Sequence, residues 1–317
     1  MNIYSAAQVA QRLPYKALIA GLRDAFSQDI QAPLRSMYPI NLASGSQATF
    51  GLMPAWHAGE ILATKLVTIF PDNASLGLPT IHAQIVLFDG RTGMPTAVVD
   101  GTEVTRRRTA ATSALAASYL ANENAECLVV VGTGAQALHQ ALAHAAIRPI
   151  RRIGVWGRSP AKARALVEAL RPHSQAFSVH VVDDLEAEAR EADVISCVTG
   201  VCDPVVFGQW LKPGSFLDLV GSHTPDRREC DDEAVRRSRI YVDTLAGALA
   251  EAGDLLIPLR HGVIRQSDIL GDLHALCRGE VAGRVTPDEI TLFKSVGSAL
   301  EDLAAARMIV AATGLTN

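Results

Sequence analysis

Residues Leu128–Ala146 read LVVVGTGAQALHQALAHAA. The first four are apolar without alternation, as in a strand buried on both faces. The last ten read as an Ala-rich helix. Between them stands Gly132-Thr133-Gly134-Ala135-Gln136-Ala137, a G-x-G-x-x-A. The first glycine permits a tight turn. The second, lacking Cβ, lets a pyrophosphate approach the backbone, and the small Ala137 lets helix and strand pack closely. The helix start then offers N–H groups and a positive dipole end to phosphates. The spacing alone is weak, but a turn that follows a strand and opens a helix predicts dinucleotide binding.

The end of the next strand selects the dinucleotide. An acid there would hold the ribose 2′-hydroxyl of NAD. This chain has RIGVWGRSP, with Arg158 and Ser159 and no carboxylate. An arginine fork suits a 2′-phosphate, so NADP(H) is the expected cofactor. Ser159 and Pro160 also form a helix-start signal, as N-cap and first helical residue. Downstream, FSVHVV, DVISCV, SFLDLVG and RIYVD supply further strands. Alternating strands and helices predict a doubly wound parallel sheet.

Upstream the rhythm differs. Tyr4 to about Asn41 reads as helical and then irregular. From Ala48 to Asp100, ATFGLMPAW, ILATKLVTIF, TIHAQIVLFD and PTAVVD read as strands broken by the turn signals PDN, GLP and GRTG. No helix separates them, so a mostly antiparallel sheet is expected. An Ala-rich helix follows, opening after Thr102 or Thr105. The tail from TPDEITLFK onward reads as one long helix. The expected fold is α/β: a Rossmann-type domain over 122–288, an α+β domain over 1–121, and a C-terminal helix over 289–317.

The chain has 317 residues, a net charge of −4 and a pI near 6.1. That balance gives no reason to expect nucleic acid as partner. No apolar run is long enough for a bilayer, so no membrane association is expected. The start shows no secretory signal pattern. Five scattered cysteines without C-x-x-C argue against a disulfide framework or a zinc site, and a cytoplasmic location is expected.

Lys65 lies inside an apolar strand run, where a lysine either points outward or serves a site. Arg106, Arg107 and Arg108 form a run, which is ordinarily a solvated face. Arg108 opens TAATSALAA close to the cofactor domain, and Arg35 follows QAPL. Arg and Lys together suit a small acid, as a bidentate fork and a point charge. Spacing alone does not show that they converge.

KLVTIFPDN, GLPTIHAQIVLFDGRTGMPTAVVDGTEVTRRRTAATSALAASYLA, VVGTGAQA and TLFKSVGSALEDLAAA together resemble the ornithine cyclodeaminase/mu-crystallin family, over nearly the whole chain and in the family's order. The resemblance implies a Rossmann domain and a substrate domain that forms a homodimer and is completed by the C-terminal helix. It implies a substrate carboxylate held by Arg35, Lys65, Thr80 and Arg108. It also implies nucleotide contacts at Arg108, Thr109, Gly132, Thr133, Gly134, Ala135, Gln136, Arg158, Ser159, Thr199 and Ser295. Without it, Thr80 would read as a strand threonine and Ser295 as a helix-surface serine.

Two departures narrow the expectation. Cyclodeaminases of this type carry an acid in a G-x-D-x-P turn, where this chain has Gly221-Ser222-His223-Thr224-Pro225. They also carry a glutamate just before LMP, where this chain has Phe50-Gly51. Both carboxylates suited to a diamino acid are missing. The departures resemble the ketimine reductase branch, which implies NADPH-dependent reduction of small cyclic imino acids. An ornithine cyclodeaminase, an amino-acid or N-alkyl-amino-acid dehydrogenase, and an NADPH-dependent binding protein are the alternatives. Lys65 is the first candidate for handling the proton, its pKa lowered by neighbouring arginines. His223 is the second candidate, and a bound water or a protonated substrate could serve instead.

Overall fold

The computed structural model describes residues 1–312. The chain divides into two compact units, Met1–Thr109 with Ser298 onward, and Ala110–Gly297.

The first unit is built on a six-stranded sheet. Its strands are β1 (Asn2–Tyr4), β2 (Ser36–Asn41), β3 (Gln47–His57), β4 (Ile61–Ile69), β5 (Ile81–Asp89) and β6 (Pro95–Asp100), in the order β1-β6-β5-β4-β3-β2. All pairs are antiparallel except β1 with β6. The sheet alternates cleanly. Met53, Lys65, Ile85 and Val99 pair across four strands on one buried face. Leu52, Leu66 and Gln84 pair on the other face, which is only half covered.

Helix α1 (Ala6–Arg12) and helix α2 (Tyr15–Ser27) pack with this unit. Helix α2 buries Leu18, Leu22, Ala25 and Phe26, one stripe at helical spacing. Helix α3 (Gly101–Leu120) opens where Asp100 Oδ1 accepts the N–H of Glu103 at 2.8 Å. The division between the units falls within α3. Strands β1 and β2 lie where helix and irregular chain were expected. Strand β2 is exposed along its whole length, so its sequence carries no alternation to read.

The second unit carries eight parallel strands: β7 (Cys127–Val131), β8 (Arg152–Trp156), β9 (Ser178–Val181), β10 (Val194–Cys197), β11 (Phe216–Leu219), β12 (Ser238–Val242), β13 (Ile269–Asp272) and β14 (Ile290–Lys294). Their order is β13-β12-β14-β11-β10-β7-β8-β9. Winding runs outward from β7 through β8 to β9, then restarts at β10. The β7/β10 junction is therefore a switch point, beside which α/β sheets open a crevice at their carboxyl ends. Helix α4 (Ala137–Ile147) follows β7, and helix α5 (Pro160–Leu170) follows β8.

The tail corrects an expectation. Residues 290–294 are not the start of a long helix but strand β14, paired with both β11 and β12. Ile290, Thr291 and Phe293 suit a strand, and all five residues are buried. Gly297, at φ 83°, then breaks the chain, and the C-terminal helix runs Ala299–Ala311. It packs on α2, β3 and β4. The part of the expected helix beyond Ala312 lies outside the described residues.

Candidate functional site

The glycine turn forms as its spacing predicts. Gly132 has φ 130°, and a Cβ there would stand 2.8 Å from the Val198 carbonyl, which follows β10. Only glycine fits both the backbone and this approach across the switch point. At Gly134 a Cβ would meet nothing within 4 Å, so the space above the turn is open. Ala137 is fully buried at the start of α4, and no side chain caps that helix. The Ala137 N–H turns back to the Gly134 carbonyl at 3.1 Å, and a helix start without a side-chain cap suits an anion. Open space, a tight turn and an uncapped helix start fit a dinucleotide's phosphates.

The end of β8 carries Arg158 exposed and Ser159 half-buried. The Ser159 side chain accepts the Lys162 N–H at 3.4 Å as N-cap of α5. Thr199, after β10, donates through its N–H (2.6 Å) and Oγ1 (2.7 Å) to Glu229 Oε1. Glu229 Oε2 accepts the Gly221 N–H at 2.6 Å, so this buried carboxylate ties the turns after β10 and β11 together. Asp254 Oδ1 accepts the Glu229 N–H at 2.6 Å, and Lys294 Nζ lies 2.9 Å from Asp254 Oδ2. Burial pushes the Glu229 carboxyl up to about 7, against the pull of Lys294. Ser295 is buried and donates to Asp243 Oδ2 at 3.0 Å. His223 is exposed, with Nδ1 3.1 Å from the Gly221 carbonyl. A carbonyl only accepts, so Nδ1 carries the hydrogen there.

In the first unit, Lys65 and Arg108 come together. They are 3% and 4% exposed. Lys65 Nζ lies 2.7 Å from Asp302 Oδ2, and Arg108 Nε donates to Asp302 Oδ1 at 3.1 Å. Arg108 Nη1 donates to Glu301 Oε2 at 2.5 Å. Lys65 Nζ also reaches Thr105 Oγ1 at 3.4 Å. Arg35 is half-buried one residue before β2, and its charge acts on Lys65. Burial is the largest cause lowering the Lys65 pKa to about 8; Asp302 opposes it, and Arg108 and then Arg35 add to it. The arginines are therefore secondary to desolvation, contrary to the expected cause.

Thr80 stands apart from this cluster. It precedes β5, where Ile81 meets Ile69, four residues along β4 from Lys65 and so about 13 Å away in an extended strand. Its carbonyl accepts the Phe70 N–H at 2.8 Å. Thr109 is buried in α3 directly after Arg108. A shallow cavity lined by Leu66, Thr68, His82 and Gln84 opens on the sheet face opposite Lys65. It therefore does not contain the cationic cluster.

The sequence reading missed Glu301, Asp302, Glu229, Asp254 and Lys294. For the first two the signal was present. Two adjacent acids interrupt SALEDLAAARMIVAA, a helix whose one other charged residue is Arg307.

The sequence profile of the ornithine cyclodeaminase/mu-crystallin family matches residues 2–313. A Δ1-pyrroline-2-carboxylate reductase of Colwellia psychrerythraea is 39% identical over 312 residues, 98% of each chain. The structure of Thermococcus litoralis Δ1-pyrroline-2-carboxylate reductase in complex with NADH and L-proline is similar over the whole of both chains, with TM-score 0.92 and 32% identity. The structure of an archaeal alanine dehydrogenase dimer with bound NAD matches 100% of this chain and 98% of its own, with TM-score 0.90 and 26% identity.

Proposed function

The chain belongs to the ornithine cyclodeaminase/mu-crystallin family, and we propose that it reduces small cyclic imino acids with NADPH. Δ1-Pyrroline-2-carboxylate would give L-proline, and Δ1-piperidine-2-carboxylate would give L-pipecolate. The observation that carries this reading is the buried Lys65–Arg108 pair, with the Arg35 charge beside it. Such cations suit a carboxylate. The similarity to Δ1-pyrroline-2-carboxylate reductases supports a cyclic imine as the rest of the substrate.

The nucleotide contacts we assign in the second unit are the Gly132–Gln136 turn, Arg158, Ser159, Thr199 and Ser295. When bound, the reduced nicotinamide supplies a hydride to the imine carbon. Arg108 and Arg35 hold the substrate carboxylate and fix the ring, a positioning effect worth several kcal/mol; Thr80, set apart along the sheet, is left out of that grip. Lys65 protonates the imine nitrogen, which makes its carbon more electrophilic. Its ammonium is the donor form, and a pKa of about 8 places proton loss close to the working pH. His223 is the second candidate for that proton, through Nε2, since Nδ1 faces a carbonyl.

Arg158 supports NADPH over NADH, whereas the two similar structures carry NADH and NAD. The half-covered outer face of the first sheet, with Phe50, Leu52, Leu62, Leu66 and Val86, supports a homodimer. Among the described residues no disulfide joins the five cysteines, which suits the cytoplasm. Among the described residues no helix is long and apolar enough to cross a membrane.

The test is a spectrophotometric panel of NADPH and NADH against five- and six-membered cyclic imines. The expected result is oxidation of NADPH with both rings. Oxidation of NADH only by pyruvate plus ammonia would favour an amino-acid dehydrogenase instead. Ammonia release from ornithine without added reductant would favour a cyclodeaminase.

A further inference from the structure

The C-terminal helix buries every residue from Ala299 to Ala306. Ala, Leu and Ala again make up its surface, yet two adjacent carboxylates are buried among them, Glu301 and Asp302. Burying a carboxylate is costly unless it is paired and hydrogen-bonded. An apolar pair at these positions would serve packing as well or better. Helix stability alone therefore does not account for both acids.

Their partners do account for them. Glu301 divides its oxygens: Oε1 accepts the Ser298 N–H at 3.0 Å, closing the helix start, and Oε2 accepts from Arg108. Asp302 has no such capping duty. Its Oδ1 accepts from Arg108 Nε at 3.1 Å, and its Oδ2 lies 2.7 Å from Lys65 Nζ. One carboxylate thus bridges the two cations assigned to the substrate.

We infer that Asp302 is a positioning residue for imine reduction: it locks Lys65 and Arg108 into one fixed pair and keeps Lys65 in its ammonium form. This rests on the reading of Lys65 and Arg108 given under Proposed function. Lys65 stands on a sheet floor of Met53 and Ile85, which bring no charge. Helix α3 faces it with Arg108 and Thr105, and the segment before β2 adds Arg35. Burial and both arginines push the proton off; of the charged groups facing it, Asp302 pulls the other way. Removing that carboxylate charge moves proton loss to lower pH. It also replaces the charged acceptor of Arg108 Nε with a neutral amide oxygen, which holds the guanidinium less firmly.

The experiment compares the full-length wild type with Asp302→Asn and Asp302→Glu. First, kcat/KM for Δ1-pyrroline-2-carboxylate with NADPH is measured against pH. The high-pH limb is expected to move down by about one pH unit or more in Asp302→Asn. Its kcat at neutral pH should fall about 10-fold or more, a part of the roughly 10²–10⁴-fold that a well-placed proton donor contributes. Asp302→Glu should recover most of the limb. NADPH binding, followed by fluorescence, should stay within about twofold, and thermal unfolding confirms that each variant folds.

Second, the Lys65 midpoint is read directly by NMR of protein labelled at the lysine ε-carbon, with the signal assigned through Lys65→Arg. It should fall in Asp302→Asn and return in Asp302→Glu. An unchanged midpoint together with an unchanged rate limb would overturn the inference. Absence of imine turnover in the wild type would instead remove the functional reading, and the NMR midpoint would still decide whether Asp302 governs Lys65.

Discussion

In the proposed function, Arg158 carries the distinction between two nucleotides on one side chain. It stands exposed two residues after β8, where a carboxylate would select NAD. A charge-assisted hydrogen bond contributes about 1.5–3 kcal/mol, which is roughly 10–100-fold in affinity. Replacing Arg158 with Ala should lower kcat/KM for NADPH by that factor and leave NADH nearly unchanged; equal losses for both would remove the 2′-phosphate role. Lys65 makes a second prediction at this scale. Burial lowers its pKa to about 8 from 10.5. Because the ammonium is the donor form, reduction should decline as pH rises through about 8. For stability the sign is opposite. Between pH 8 and 10.5 the unfolded chain binds the extra proton, so this residue's contribution improves as pH rises across that window. A rate profile flat to pH 10 would exclude Lys65 as donor.

Elements are held in register by buried charges, and Glu229 shows it best. It joins the turns after β10 and β11 through Thr199 and Gly221, with Asp254 and Lys294 behind it. Glu229→Ala would leave those N–H groups unpaired and remove one of the three carboxylates, with Asp254 and Asp243, that act on Lys294. The expected loss is about 2–4 kcal/mol in chemical denaturation; an unchanged midpoint would mean that the clamp contributes nothing. Its raised pKa sets the pH sense of its own contribution. The folded state holds more protons between 4.5 and about 7, so that contribution weakens as pH rises through this range. Such networks explain what the sequence could and could not disclose. LVVVGTGAQA announced its strand, turn and helix because all the information is local. The apolar, β-branched run ILATKLVTIF between turn signals announced β4 for the same reason. ITLFKSVGSALEDLAAA misled because a short buried strand and a buried helix share unbroken apolar runs. The charge clusters were hidden for another reason: Arg108 and Glu301 lie 193 residues apart, and no local pattern pairs them.

The whole molecule divides its chemistry between a unit that presents cations and a unit that presents a nucleotide turn. Lys65 stands on a sheet whose other face is only half covered and exposes apolar side chains, with Leu62 38% exposed. If that face joins two copies, Leu66→Glu should yield a monomer by light scattering, while the wild type runs at twice 33.7 kDa. A wild-type monomer would leave the face without this partner. The family and the fold class were legible from motifs, and the homodimer was expected from the resemblance alone; the half-covered sheet face shows only once the strands are paired. The central claim concerns one bond, the C–H formed at the imine carbon while the first unit holds the adjacent carboxylate. It is tested most directly with NADPH deuterated at the transferable position of its nicotinamide, given with Δ1-pyrroline-2-carboxylate. The account predicts proline carrying deuterium at Cα in the wild type, and little product from Lys65→Met. Proline without deuterium at Cα, or labelled proline formed equally fast by Lys65→Met, would contradict it.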